Sequence, residues 1–130
     1  MAKLLDTNLI VHFLLNDPPQ QADVVEKLLK KSQEVLILPN IVVAEIIYVL
    51  HSNYKFSKEE IIEKVYDFIQ TSTIICNREL IFNSLINYLN HNISFVDAYL
   101  AAYTQLEKLE GIYSFDEGLD KVKSIKRFKP

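Results

Sequence analysis

Four acidic side chains, far apart along the chain, occupy positions from which carboxylates could share one metal ion. They are Asp6, Glu45, Asp97 and Asp116. Clustered carboxylates repel one another and raise each other's pKa values, and a hard divalent cation removes that repulsion. Mg²⁺ prefers oxygen ligands, commonly one or two carboxylates together with water and substrate phosphate oxygens. The acids therefore predict a site for Mg²⁺ or Mn²⁺.

Three of the acids also have ordinary structural explanations. Asp6 could serve only as a helix N-cap, whose loss typically destabilises a protein by about 1 kcal/mol. Asp97 lies three residues after Ser94. It could belong to a helix N-cap formed by Ser94, or it could interact favourably with the positive end of the helix dipole. Asp116, followed by Glu117 and Gly118, could be an ordinary turn acid.

Glu45 is harder to explain structurally. It stands within residues 41–50, which are otherwise apolar, and a helix that is apolar on all sides is expected to be buried. A buried carboxylate must pair, bind a metal or become neutral. No lysine or arginine occurs between Lys31 and Lys55, so the sequence predicts a buried Glu45 without a local ion pair.

The positions of the four acids in the fold depend on strands and helices that alternate along the chain. Strands are predicted at residues 3–5, 34–38, 72–75, 112–115 and 124–128. Helical patterns fill the segments between the strands, including one at 94–110 that Gly111 is expected to end in the left-handed conformation. This pattern predicts an α/β fold with a mostly parallel central sheet of four to five strands, flanked by helices on both faces in three layers. The length fits one domain over residues 1–130.

All four acids fall near one edge of that predicted sheet. Ligands of open parallel sheets bind outside the carboxyl ends of the strands. Asp6 follows the first strand and Asp116 the fourth, while Glu45 lies in the second turn of the helix that leaves the second strand. Asp97 begins a helix that should run antiparallel to the fourth strand, so it starts where that strand ends.

Composition narrows the class of protein. No segment has the length of a membrane span or the layout of a signal peptide, and the single Cys76 cannot form an internal disulfide. We therefore expect a cytoplasmic protein that does not bind membranes. The net charge is −3, yet the last ten residues carry five basic side chains and no acid. Lys121, Lys123 and Arg127 are candidates for substrate binding within that basic tail.

Four short motifs together resemble the PIN-domain ribonucleases, in particular VapC-type toxins of toxin–antitoxin pairs. The motifs are residues 4–8 (LLDTN), 43–45 (VAE), 95–102 (FVDAYLAA) and 114–116 (SFD). The resemblance covers essentially the whole chain. It implies a PIN-like fold and a metal-dependent endoribonuclease whose catalytic, metal-binding acids are Asp6, Glu45, Asp97 and Asp116.

The resemblance also implies supporting residues and partners. Asn8 and Ser114, with Thr7 beside them, would be polar partners of the acidic site. RNA, such as transfer RNA or another structured RNA, would be the substrate. A homodimer and a cognate antitoxin that covers the site are implied as well, in a type II toxin–antitoxin system.

Two other interpretations stay open. The chain could be a non-catalytic PIN-fold interaction module that has lost nuclease activity. It could also be an aspartate-dependent phosphatase or phospho-acceptor domain with Asp6 as nucleophile. Such sites generally need a second acid beside the first, whereas Thr7 and Asn8 follow Asp6 here.

Overall fold

Strands and helices alternate along the chain in the predicted order. A computed structural model describes residues 1–31 and 33–130, apart from the side chain of Lys31. The strands are β1 (Ala2–Leu4), β2 (Val35–Ile37), β3 (Ile74–Ile75), β4 (Ile112–Tyr113) and β5 (Arg127–Phe128). The helices are α1 (Thr7–Leu15), α2 (Pro19–Lys31), α3 (Asn40–Ser52), α4 (Lys58–Ile69), α5 (Arg78–Asn90) and α6 (Phe95–Leu106), and a 3₁₀ helix spans Glu117–Lys121. The predicted α/β class is confirmed. Within the described ranges, no helix is both long and apolar enough to pass through a lipid bilayer.

The chain forms two compact units, Met1–Asn77 and Arg78–Pro130. The first unit contains a three-stranded sheet in the order β1-β2-β3, and the second contains β4 paired with β5. Every one of these strand pairs is parallel, as predicted. The strands are therefore hydrogen-bonded as two short sheets, whereas the sequence pattern predicts one sheet of four to five strands.

The carboxyl ends of the first three strands are aligned. Leu4 pairs with Ile37, and Ile37 pairs with Ile75. The ladder continues by one step, because the Leu5 N–H donates to the Ile37 carbonyl at 2.9 Å and the Leu38 N–H donates to the Ile75 carbonyl at 2.9 Å. Helices α1 and α3 follow β1 and β2 directly, so both begin at this edge.

Buried aliphatic side chains form the core of each unit. In the first unit they include Ile10, Leu36, Ile46, Leu50, Ile61 and Ile74, all 2% exposed or less. In the second unit, α5 packs against α6, and Ala98, Ala101 and Ala102 of α6 are fully buried. These small side chains allow the close approach of neighbouring elements.

The predicted role of Gly111 is wrong. Helix α6 ends at Leu106, and the left-handed residue that follows is Lys108, with φ of 53°. No glycine has a positive φ. A Cβ atom at Gly111 would lie 2.2 Å from the Lys126 carbonyl oxygen, so this position requires glycine because β4 and β5 approach closely there.

Candidate functional site

The second unit brings two of the predicted acids together. Asp97 lies in the first turn of α6, and Asp116 follows β4 as the N-cap of the 3₁₀ helix. The two carboxyl groups lie close enough for a hydrogen bond to form between them. Because an ionised carboxylate has no proton to donate, one of the two must be protonated when this bond forms. Asp97 and Asp116 could hold a divalent cation, whose positive charge would offset the repulsion between the two carboxylates.

The surroundings of Asp97 favour its neutral form. Burial raises the pKa of Asp97, and the negative charge of Asp116 and the hydrogen bond to it raise this pKa further. The Ser94 side chain acts in the opposite direction. The net result is a raised pKa, which is the condition that a bound cation would relieve.

Asp97 differs in its pKa from Glu60, an ordinary capping acid of the same chain. Ser57 and Glu60 have the same spacing as Ser94 and Asp97 and form a complete capping box, with Glu60 accepting the Ser57 N–H at 3.1 Å. That hydrogen bond lowers the pKa of Glu60. Ser94 likewise caps α6 by accepting the Asp97 N–H at 3.1 Å, yet the pKa of Asp97 is raised. Partial burial and the neighbouring acid therefore outweigh the cap.

The Asp116 carboxylate is held by its own turn. Asp116 Oδ1 accepts the Gly118 N–H at 2.8 Å, and the Asp116 N–H donates to Ser114 Oγ at 2.9 Å. A Cβ atom at Gly118 would lie 2.9 Å from Asp116 Oδ1, which is too close without a shift. Ser114, a predicted supporting residue, thus contacts the site, and Gly118 is needed to leave room for the carboxylate.

In the first unit, Asp6 lies between β1 and α1. Its backbone is extended, with φ of −90° and ψ of 154°, as expected at an N-cap, but its side chain makes no capping hydrogen bond. Asp6 and Asn8 are exposed, and Thr7 is buried. The Asp6 carboxylate is therefore not used as a cap, which removes the ordinary structural explanation for this acid.

The prediction that Glu45 is buried is wrong, because its side chain is exposed. The buried face of α3 consists of Val43, Ile46, Ile47 and Leu50. On the opposite side of the helix, Ile41 is 78% exposed and Tyr48 is 66% exposed. The sequence is apolar on all sides of α3, but only one side packs into the core. Glu45 lies among the exposed apolar residues.

Asp6 and Glu45 belong to elements that start at one edge of the three-stranded sheet, and α1 contacts α3. Among the side chains that the structure describes, which exclude that of Lys31, no basic one forms an ion pair with either acid. The four predicted acids are therefore divided between the two units, with Asp6 and Glu45 in one and Asp97 and Asp116 in the other.

The carboxyl oxygen atoms of Asp97 and Asp116 are ligands of the kind that a hard cation prefers. The neighbouring carboxyl groups of Asp97 and Asp116 supply oxygen atoms, and Mg²⁺ is commonly bound by one or two carboxylates. In the part of the chain that the structure describes, no group of three or more His, Cys, Asp or Glu side chains is arranged to hold a metal ion.

The basic candidates differ from one another. Lys121 Nζ donates to the Asn92 carbonyl at 3.0 Å, and the Lys123 side chain is exposed. Arg127 is turned inward, with only 13% of its side chain exposed, and forms an ion pair with Asp120 at 2.9 Å. The sequence does not predict the ion pair between Asp120 and Arg127, because the two residues belong to separate elements. Gly118 is expected only in a turn after Asp116, although one of only two glycines in the chain, two residues after that acid, is a usable signal for its contact with the carboxylate.

Comparison with known proteins gives one strong result. No curated protein is a significant match. The solved structure of the toxin VapC20 from Mycobacterium tuberculosis, which cleaves the sarcin–ricin loop, matches over 100% of both chains with 15% sequence identity and a TM-score of 0.43. Those values are too low to support a functional argument. A family model described as PIN domain matches residues 3–125. Since this match spans nearly the whole sequence, the chain belongs to the PIN-domain family, a family of nucleases.

Proposed function

We propose that this protein is a metal-dependent endoribonuclease that hydrolyses RNA phosphodiester bonds. The observation that carries the proposal is the close pair of carboxyl groups, Asp97 and Asp116, in a chain of the PIN-domain family. Two acids held this close, one with a raised pKa, form a site whose repulsion a Mg²⁺ or Mn²⁺ ion would relieve.

Asp6 and Glu45 complete the proposed set of four catalytic acids, within one PIN-like domain over residues 1–130. Three features of the first unit support this. The Asp6 side chain makes no capping hydrogen bond. Asp6 and Glu45 are both exposed, and neither forms an ion pair with a described basic side chain.

The proposed chemistry assigns separate tasks to the acids. Asp97, Asp116 and Asp6 would hold the cation, and Glu45 would hold it or orient a water molecule for attack on the phosphate. When bound, the cation lowers the pKa of the attacking water and stabilises the charge that develops on the phosphate. Ser94 and Ser114 would keep the two acids of the second unit in place, since both serines contact them in the structure.

RNA must approach an acidic site, so basic residues would have to contribute to its binding. Lys121 and Lys123 are the exposed candidates near the end of the chain. Their contacts would be made to phosphates rather than bases and would weaken as the salt concentration rises.

A toxin role with a protein antitoxin and a homodimer is a further part of the proposal. Large apolar side chains at the surface support it, because such residues mark protein interfaces when they are grouped. Ile41 and Tyr48 flank Glu45 on α3 and are mostly exposed. A partner that covered these side chains would also cover Glu45, which would inhibit the enzyme. The protein would act on RNA in the cytoplasm.

The test is induced expression of the wild type and of Asp97→Asn in cells, with sequencing of RNA 5′ ends. Cleavage at a defined RNA site and growth arrest should appear only with the wild type. Co-expression of a small neighbouring gene that encodes the antitoxin should abolish both effects. RNA ends that are the same in both strains would reject the nuclease proposal.

The alternative is a non-catalytic PIN-fold interaction module. The observation that favours it is that no group of three metal-binding side chains forms among the residues described. Thermal denaturation with and without Mn²⁺ separates the two functions, since a ligand that binds only the folded state raises Tm. A nuclease should show a rise that Asp97→Asn abolishes, whereas the interaction module should show none.

A further inference from the structure

The Arg127 guanidinium joins the two ends of the segment that carries Asp116. Arg127 Nε and Nη2 donate to the two carboxylate oxygens of Asp120 at 2.9 and 3.1 Å. Arg127 Nη1 donates to the Ser114 carbonyl at 2.9 Å. Asp116 lies between these two anchor points in the chain.

Hydrogen bonds inside the segment carry that constraint to the carboxylate. The Asp116 N–H donates to the Ser114 hydroxyl oxygen, and Asp116 Oδ1 accepts the Gly118 N–H. The direction of the Asp116 carboxylate therefore depends on the conformation of residues 114–120. By bonding to Ser114 and Asp120, Arg127 holds the two ends of this segment together.

The positive charge of Arg127 also supports a role in holding the segment that carries Asp116. The hydrogen bonds with Asp120 are the main cause of the raised pKa of Arg127, and the charges of Asp120, Glu117 and Asp116 raise it further. The guanidinium thus offsets part of the negative charge around Asp116. A lysine could supply the charge but could not make this fork of bonds, because its ammonium group lacks the planar geometry of a guanidinium.

We propose that Arg127 is a positioning residue, which holds Asp116 against Asp97 through Asp120 and Ser114, rather than a residue that binds RNA. The consequence for catalysis rests on the proposed nuclease function. The consequence for the position of Asp116 does not, so the two can be tested separately.

The first measurement is hydrogen exchange of the Gly118 amide, which reports on its bond to Asp116. The chain has only two glycines, so ¹⁵N-glycine labelling gives two signals, and the Gly111 signal shows whether the protein is folded. In Arg127→Ala, Gly118 exchange should be at least about tenfold faster, since charged hydrogen bonds that close the segment are lost. Asp120→Asn should act in the same direction, and Arg127→Lys should lie between Arg127→Ala and the wild type.

The matched control is Lys3→Gln. It removes an ion pair of the same 2.9 Å length, but one in which the basic side chain is 65% exposed. This variant has the same change in net charge as Arg127→Ala and should leave Gly118 exchange unchanged. Gly118 exchange at the wild-type rate in Arg127→Ala would overturn the proposal.

The second measurement is cleavage of a quenched fluorescent RNA in Mn²⁺. A positioning role predicts that Arg127→Ala lowers kcat at least about tenfold and changes KM less than about twofold. Millimolar guanidinium chloride, far below denaturing concentrations, should partly restore kcat. An increase in KM alone, without rescue, would show that Arg127 binds RNA and would overturn the proposal. If the wild type does not cleave RNA, the nuclease proposal fails, and the exchange measurement still decides the role of Arg127.

Discussion

Asp97 and Asp116 bring their carboxyl groups within hydrogen-bonding reach of each other, although one acid begins α6 and the other follows β4. In the absence of a cation, a hydrogen bond between them needs a proton on one of the acids. A divalent cation would allow both to be ionised. The pair is therefore expected to be a source of instability in the metal-free protein and a source of affinity for metal.

Asp97→Asn should raise the Tm of the metal-free protein at neutral pH. Folding raises the pKa of Asp97, so its contribution to stability is fully present below the pKa of the unfolded state and is lost as the pH rises through the pKa of the folded state. An amide does not ionise, so the variant avoids that loss. We expect a rise of about 1–3 °C, small because solvent screens the group, measured by thermal denaturation in EDTA.

Glu60→Gln is the matched control with the opposite sign. The capping box lowers the pKa of Glu60, so its contribution to stability is present above the pKa of the unfolded state and is lost as the pH falls through the pKa of the folded state. This variant should lower Tm at neutral pH. If Asp97→Asn also lowered Tm there, Asp97 would be acting as a capping acid, and its repulsion by Asp116 would not destabilise the metal-free protein.

Gly118→Ala should reduce activity more than stability. The added Cβ would lie 2.9 Å from Asp116 Oδ1 and must displace that carboxylate, which is the end of a side chain that can move. We expect RNA cleavage to fall about tenfold or more with a Tm close to that of the wild type.

Gly111→Ala is the comparison, because its Cβ would meet the Lys126 carbonyl oxygen at 2.2 Å, which is backbone. This variant should lower Tm clearly. Equal losses of Tm in the two variants would argue against a specific effect of Gly118 on Asp116.

Asp6→Ala should abolish RNA cleavage and leave the free energy of unfolding within about 0.5 kcal/mol of the wild type. The reason is that the Asp6 side chain makes no capping hydrogen bond. Ser57→Ala, which removes a real cap, should cost about 1 kcal/mol. Urea denaturation of both variants measures the difference, and a loss in Asp6→Ala as large as that in Ser57→Ala would contradict the assignment.

Local signals were sufficient to predict the elements. Ser57 and Glu60 predict the start of α4 because the capping box satisfies backbone N–H groups within four residues. Pairing of Asp97 with Asp116 also follows from the pattern, since a helix antiparallel to a strand begins where that strand ends. Each of these inferences needs only the spacing of residues and the direction of the chain.

Features that depend on packing were not predictable in the same way. The exposure of Glu45 depends on which side of α3 meets the core, and an apolar sequence on every side leaves that choice open. The bond between Arg127 and Asp120 depends on the close pairing of β4 and β5, which also explains Gly111. Neither the exposure of Glu45 nor the bond between Arg127 and Asp120 leaves a repeating pattern in the sequence, because each depends on how separate elements pack against one another.

Mn²⁺ binding tests directly whether the four acids form a metal site. It is measured by titration calorimetry on the wild type and on Asp6→Asn, Glu45→Gln, Asp97→Asn and Asp116→Asn. If the four acids all contribute to metal binding, as proposed, each substitution should weaken binding by about tenfold or more, Asp6→Asn and Glu45→Gln included. Wild-type affinity in Asp6→Asn and Glu45→Gln would contradict a shared site, and an absence of Mn²⁺ binding by the wild type would contradict the metal-dependent mechanism.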